Sequence, residues 1–312
     1  MNDIYNEMRI KILGEIIQEV ASNISFTILE IGAVPLEGQA EPFHNVSDIF
    51  TESKIIAFEI DKNLCEQLNK KAKHGLKYYP VALGQYEEKR TLYETNHPMC
   101  CSLYKPNEKL ISLYQNFEVA MLKSVSSVET VSLDYFANEN NIESVDFIKI
   151  DIQGAELDVF KGGVNTLREV VAIVSEVEFI PHYIDQPLFG DVCSFLVEKE
   201  LMFHKFLGLA GRTLKPIVTN NDRNFPSQHI WSDALFIKDV FKIPELSSTK
   251  LLKLGFLAYL YGSFDVTFHC FKIYDEKNGT TTHQALLNLE NELMKRTKHV
   301  QRKKKKKIKG CK

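Results

Sequence analysis

Acidic residues recur where short apolar runs end in this chain. Glu30 closes FTILEIG (26–32), Glu59 and Asp61 close KIIAFEID (54–61), Asp151 closes DFIKID (146–151), and Glu176 and Glu178 lie near the end of VVAIVSEVEF (170–179). A single carboxylate after an apolar run has an ordinary explanation, because Asp caps helices well. Four such ends brought to one rim would be different. Packed like charges repel unless a cationic or hydrogen-bond-donating ligand fills the space between them. Ribose hydroxyls and a sulfonium meet both needs.

The stretch DFIKIDIQGAELDVFKGG (146–163) carries the most specific chemistry. Asp146 to Ile150 reads as a buried strand, which would fix Asp151 firmly at its end. Gly154 lets the chain turn sharply, and Glu156 follows in the first turn of a helix, where the helix dipole favours a carboxylate. Asp151 is therefore the first candidate to orient or deprotonate a hydroxyl. Glu156 either faces a substrate or only stabilises its helix. His182 in EFIPHYIDQPLF is a second candidate base, since its ordinary pKa of about 6.5 suits the task, and Tyr183 beside it either covers a substrate or packs. Asp151, Glu178 and His182 offer oxygen and imidazole ligands to a divalent cation. His97 with Cys100 and Cys101 suggests zinc, but a second ligand pair at the usual spacing is lacking; no metal site is assigned. Trp231, the single tryptophan, is read as core of an edge strand or as a wall of an acceptor site.

Positioning these residues requires a sheet. The β-rich runs above, with LKYYPVAL (76–83), alternate with helical stretches through the first two thirds of the chain. Such alternation predicts a doubly wound, mostly parallel α/β sheet. In such sheets ligands lie outside the carboxyl ends of the strands, where helix N-termini also point. Lys62 to Lys71 reads as an exposed helix, and Thr130 to Phe136 as a short strand ending at Asp134, which would cap a helix toward Asn141. HKF (204–206) and HIWSDALFIKD (229–239) read as an antiparallel edge pair.

From Pro244 two helices hinged at Gly262 and Ser263 are expected, followed by a third, QALLNLENELMKR (284–296). Gly255, Gly262, Phe264 and Phe271 have the spacing of one tetratricopeptide unit, but such repeats need about three copies to be stable alone. The segment therefore reads as a helical appendage packed on the main domain. The expected division is an N-terminal helix (1–25), a main domain (26–243), the appendage (244–300) and a basic tail (301–312).

With 312 residues, 44% of them hydrophobic, the chain can build a substantial interior. Met8, Ile12, Ile16 and Val20 have helical spacing rather than the unbroken apolar run of a signal peptide, and no segment approaches the roughly 20 apolar residues of a membrane span. The six cysteines are scattered, which argues against a disulfide framework and for a cytoplasmic location. Net charge is −3, yet Lys298 to Lys312 holds nine Lys or Arg and no acid. That tail reads as a solvated end. Peripheral contact with an anionic membrane is the alternative, and nucleic acid is not an expected partner. Nothing in the sequence speaks to oligomeric state.

After the first run, GAVPLEG (32–38) offers one well-placed glycine, Gly32, and lacks the G-x-G-x-x-G cradle for a pyrophosphate. Together EIGA (30–33), FEID (58–61), PVALG (80–84), VSLDYF (131–136) and the stretch from Asp146 to Gly163 resemble the FkbM-type methyltransferases, which have the class I, Rossmann-like fold. The resemblance covers roughly Phe26 to Lys238. It implies a seven-stranded sheet, S-adenosylmethionine as donor, and O-methylation of a small-molecule or glycan acceptor such as a sugar or natural product. By the same resemblance Glu30 and Gly32 lie beside the methionine part of the cofactor, Glu59 holds the ribose, and Asp151 faces the reacting centre. Asp61 and Ala82 are further candidates for the cofactor site, and Glu156, Glu178 and Tyr183 for the substrate side. A catalytically silent binding module of the same fold, engaging a partner through its C-terminal helices and basic tail, is the alternative.

Overall fold

The computed structural model describes residues 2–34 and 41–292. Residues 35–40 and 293–312, which take in the end of the helix expected over 284–296 and the basic tail, lie outside the described residues. The strands, in chain order, are β1 (Thr27–Ile31), β2 (Lys54–Phe58), β3 (Leu76–Tyr79), β4 (Ala82–Gly84), β5 (Glu88–Thr95), β6 (Leu122–Ser132), β7 (Phe147–Ile150), β8 (Ala172–Glu178), β9 (Leu201–Phe206), β10 (Ala210–Arg212) and β11 (Gln228–Lys238). The helices are α1 (Asn2–Val20), α2 (Val46–Ile49), α3 (Lys62–Asn69), α4 (Glu108–Ile111), α5 (Leu133–Glu139), α6 (Glu156–Lys161), α7 (Phe189–Glu198), α8 (Ser248–Leu260) and α9 (Phe264–Asn278). The described residues divide into two compact units, one within Ser25–Ser47 with Thr51–Ile243 and the other within Met1–Ile24, Asp48–Phe50 and Pro244–Lys312.

The larger unit is built on an eight-stranded sheet in the order β10-β11-β8-β7-β1-β2-β3, with β9 also paired to β11. The pairs among β1, β2, β3, β7 and β8 are parallel, whereas β11 runs antiparallel to β8, β9 and β10. All four residues of β7 and all seven of β8 are buried, as expected of parallel strands covered on both faces. The chain steps outward from β1 through β2 to β3 and then returns to lay β7 against the other side of β1. The order therefore reverses between β1 and β7, and the crevice at such a switch point is where open α/β sheets bind ligands.

Three sequence expectations are corrected in this unit. The sheet has eight strands rather than seven, because β11 is long enough to pair with both β9 and β10 along one edge. LKYYPVAL is not one strand: β3 ends at Tyr79, Pro80 interrupts, and β4 joins a separate three-stranded sheet in the order β4-β6-β5. Proline has no N–H to donate to a ladder, which accounts for the break. The strand expected over Thr130–Phe136 is the end of the 11-residue β6, and its helix is capped by Ser132, whose hydroxyl accepts from the Tyr135 N–H, rather than by Asp134. The Asp134 carboxylate instead receives the N–H groups of Asn165 and Thr166. β5 is not expected from the sequence; its residues are mostly exposed or half-buried, so no apolar run marks it.

The smaller unit is helical. α8 and α9 turn at Gly262, φ +69°, and Ser263, as the sequence predicts, and residues 282–292 form a further helix. Gly255 lets α8 and α9 approach: a Cβ there would stand 2.6 Å from the Phe271 ring. Thr267 on α9 donates to the Gly255 carbonyl at 2.9 Å. α1 belongs to the same unit, its Arg9 donating to the two Glu290 oxygens at 2.6 and 2.7 Å and to the Tyr259 hydroxyl at 3.0 Å. Among the described residues no helix is long and apolar enough to cross a membrane.

Candidate active site

The ends of β1, β2 and β7 are drawn together by backbone hydrogen bonds. The N–H groups of Gly32 and Ala33 both donate to the Phe58 carbonyl, at 3.1 and 3.0 Å, and the Asp151 N–H donates to the Ile31 carbonyl at 2.9 Å. Gly32 sits at φ +84°, where a Cβ would lie 1.9 Å from the Asp151 carbonyl oxygen. No side chain fits between these strand ends, and the left-handed conformation also favours glycine. A cavity of about 370 Å³ opens over them, with Gly32, Glu59, Asp61, Ala82 and Asp151 in its wall. Its size is within the roughly 300–1,000 Å³ of small-molecule sites.

Glu59, Asp61 and Asp151 in the wall are each held differently. Glu59 is 8% exposed, and one of its oxygens accepts the Asp61 N–H at 2.8 Å, which orients the carboxylate. Asp61 in turn caps α3, accepting from the N–H groups of Asn63 and Leu64. Nearby, Phe58 and Tyr79 pack edge-on against Phe136 with ring centroids 4.7 and 5.1 Å away, so the ends of β2 and β3 rest on a fixed base. Asp151 remains partly exposed and faces the cavity. Lys149, on the same face of β7, has its ammonium 2.7 Å from Asp233 and 4.0 Å from Asp151. Burial pulls the pKa of that ammonium down, but Asp151 and Asp233 outweigh it and hold it above the ordinary lysine value.

Glu30 does not line the cavity; its carboxylate meets His44 at 2.9 Å. Burial alone would lower the His44 pKa, and the Glu30 contact reverses this and raises it.

Beyond Asp151 the chain turns through Gln153 at φ +60° and Gly154 at φ +98°. Glu156 anchors this turn: one oxygen accepts the Ile152 N–H at 2.8 Å and the other the Gly154 N–H at 2.9 Å. Burial pushes its carboxyl up to about 7, against the pull of those donors. Glu176 and Glu178 are two residues apart on β8 and so share a face. Burial, followed by the neighbouring carboxylates, pushes both well above the usual range. The Gln153 amide nitrogen donates to Asp151 at 3.0 Å and to Glu176. Its oxygen accepts from the Tyr183 hydroxyl at 3.0 Å, which also reaches the Cys100 carbonyl at 2.8 Å. Glu156, Glu178 and Tyr183 thus stand behind the cavity wall rather than in it.

His182 is buried outside the cavity wall, its ring packed against Phe117 and Tyr183. Burial pushes its pKa down to about 3. Trp231, also outside the wall, stacks on Phe117 with centroids 6.2 Å apart and has the Arg212 guanidinium 4.8 Å from its ring. Sequence alone does not assign Gln153 to the site, nor Met99, Cys101, Ser102 and Leu103, which form another wall of the cavity. Ser102 ties that wall to the turn by donating to the Gln153 carbonyl at 2.6 Å. The available signal is the mixture of apolar and small residues in NHPMCCSL, whose His and Cys point to zinc instead.

A stretch of 63 residues, 20% of this chain, is 44% identical to the 2-O-methyltransferase NoeI of Sinorhizobium fredii. The match covers 24% of that protein's length. The family model of the methyltransferase FkbM domain matches residues 31–204, from the last residue of β1 into β9. That span is more than half of the chain and contains the Glu59 strand end and the Asp151 turn, and on this match the chain belongs to the FkbM methyltransferase family.

Proposed function

We propose that this protein is an S-adenosylmethionine-dependent O-methyltransferase acting on a hydroxyl of a sugar, glycan or natural product. The observation that carries the reading is that Gly32, Glu59 and Asp151, from three adjacent strand ends, lie together in the wall of one cavity. The residues present fit the donor. Glu59 offers a pre-oriented acceptor for a ribose diol, Ile60, Leu64, Val81 and Leu83 give apolar surface for a base, and the bare backbone at Gly32 admits close approach of a polar end. Oxygen as the methyl acceptor is supported by the matched relative, a 2-O-methyltransferase.

When bound, the donor supplies a methyl group already activated by a positive sulfur. What remains for the protein is alignment, which can contribute about 7 to 11 kcal/mol, and removal of the proton from a weakly nucleophilic hydroxyl. Asp151 is the group for that proton, being a carboxylate that is rigidly mounted at the end of β7 and open to the cavity. Gln153 holds one Asp151 oxygen and so fixes the direction in which the other accepts. His182 is not given this role, because its buried ring lies outside the cavity wall.

Saturating S-adenosylmethionine should raise the melting temperature. A ligand at 100 times its Kd adds about 2.7 kcal/mol, or roughly 5–10 °C for a unit of this size. Glu59→Ala should lose most of that shift. Calorimetry with no heat for the donor, together with an unmoved melting curve, would favour the silent binding module.

A further inference from the structure

At the cavity wall and behind it lies a group of carboxylates of which methyl transfer explains only Asp151. Asp151, Glu156 and Glu176 each present an oxygen within 4.8 Å of the other two. Glu178 lies two residues further along the same face of β8; it is 2% exposed, and one of its buried oxygens has no hydrogen-bond partner. Because Glu176 and Glu178 share a face of β8, and Ile150 pairs with Ser175, Asp151 and Glu176 emerge side by side at the ends of neighbouring strands. The ammonium of Lys149, 2.7 Å from Asp233 and 4.0 Å from Asp151, is a single cation shared between two carboxylates and cannot balance the whole group.

We infer that Asp151, Glu156 and Glu176, with the unpartnered oxygen of Glu178 beside them, form a binding site for a hard divalent cation of the Mg²⁺, Mn²⁺ or Ca²⁺ class. An all-carboxylate set selects such ions over soft metals. Metal–oxygen bonds of about 2.0 to 2.6 Å place opposite ligands about 4 to 5 Å apart, in keeping with the spacing found. The occupant must be small, because Asp151 lines the cavity while Glu156, Glu176 and Glu178 do not; an organic ammonium could not carry its substituents behind that wall. Gln153 closes the group with its amide nitrogen on Asp151 and Glu176. Entry of the ion requires that amide to turn, which would bring its oxygen forward as a neutral ligand. Through Asp151 the ion would border the cavity and polarise an acceptor hydroxyl, a role that rests on the methyltransferase reading; the binding itself does not.

The test uses the full chain, stripped with a chelator and titrated with Mn²⁺ while the free-ion electron paramagnetic resonance signal is followed, with no methyl donor present. One Mn²⁺ should bind per chain, displaceable by Mg²⁺ or Ca²⁺. Glu176→Gln and Glu178→Gln should each weaken it by at least about tenfold, the lower end of what losing even an outer partner of a metal site costs. Both variants replace a buried carboxylate by a neutral amide of similar shape, and their melting points in chelator should not fall below that of the parent, which separates lost binding from lost fold. An Mn²⁺ signal unattenuated at millimolar ion would overturn the site, as would parent-like affinity in both variants. Either result leaves the donor-induced shift in melting temperature, and with it the methyltransferase reading, untouched.

Discussion

Asp151→Asn should lower turnover on an identified acceptor by roughly 10² to 10⁴-fold, the contribution of a positioned general base, while the S-adenosylmethionine-induced rise in melting temperature persists. The fold should tolerate the change. The amide is nearly isosteric, its oxygen can still accept from the Gln153 amide nitrogen, which stands 3.0 Å from Asp151, and the main-chain bond from the residue 151 N–H to Ile31 is unaffected. Lys149 keeps its closer partner, Asp233. A loss in kcat with little change in KM for the donor is the expected split, since the group acts on the acceptor proton. Near-normal turnover would remove Asp151 from the reaction.

The strand ends are legible because they follow from residue types alone. Runs such as FTILEI and DFIKI have no polar interruption long enough to leave a sheet, and the Asp151 that follows the second marks where its apolar requirement stops. Gly32 and Gly154 are visible for the same reason, each standing where a turn must begin. The three-stranded sheet of β4, β5 and β6 is not legible. Most residues of β5 and β6 are exposed or half-buried, so neither strand carries the apolar signature on which a sequence reading depends.

The site is legible to a different depth. The residues that the sequence offers as one rim prove to have separate neighbours: Glu59, Asp61 and Asp151 face the cavity, Glu30 meets His44, and Glu176 and Glu178 are buried behind the wall. Strand order decides this, and it depends on pairings between distant parts of the chain, such as Ile31 with Ile150. His182 illustrates the same limit. Its residue type suits a base, but Phe117 from a distant segment and Tyr183 enclose the ring, and burial then disfavours its charged form.

Glu156→Gln should cost more than a helix-dipole role allows. A carboxylate near a helix N-terminus is worth about 0.3 to 1 kcal/mol when exposed, but Glu156 is 2% exposed and its two oxygens accept from two separate main-chain donors, Ile152 and Gly154. A glutamine has one acceptor oxygen. Its NH₂ group would face the second N–H, leaving a donor unsatisfied inside the protein at a cost of about 1–3 kcal/mol. Replacing an ionisable group beside Asp151 relieves some repulsion, but the amide does not restore the missing acceptor. The expected result is a fall in melting temperature of roughly 2–10 °C, measured in chelator so that bound cation does not contribute. The turn from Asp151 to Ala155 would loosen with it, because Gln153 at φ +60° is a costly conformation for a residue with a side chain and the Glu156 bonds on either side hold it there. Turnover should therefore fall along with stability in Glu156→Gln, whereas in Asp151→Asn turnover falls alone. A Glu156→Gln protein that melts with the parent would show that the turn is held by the strand end and Ser102, not by this carboxylate.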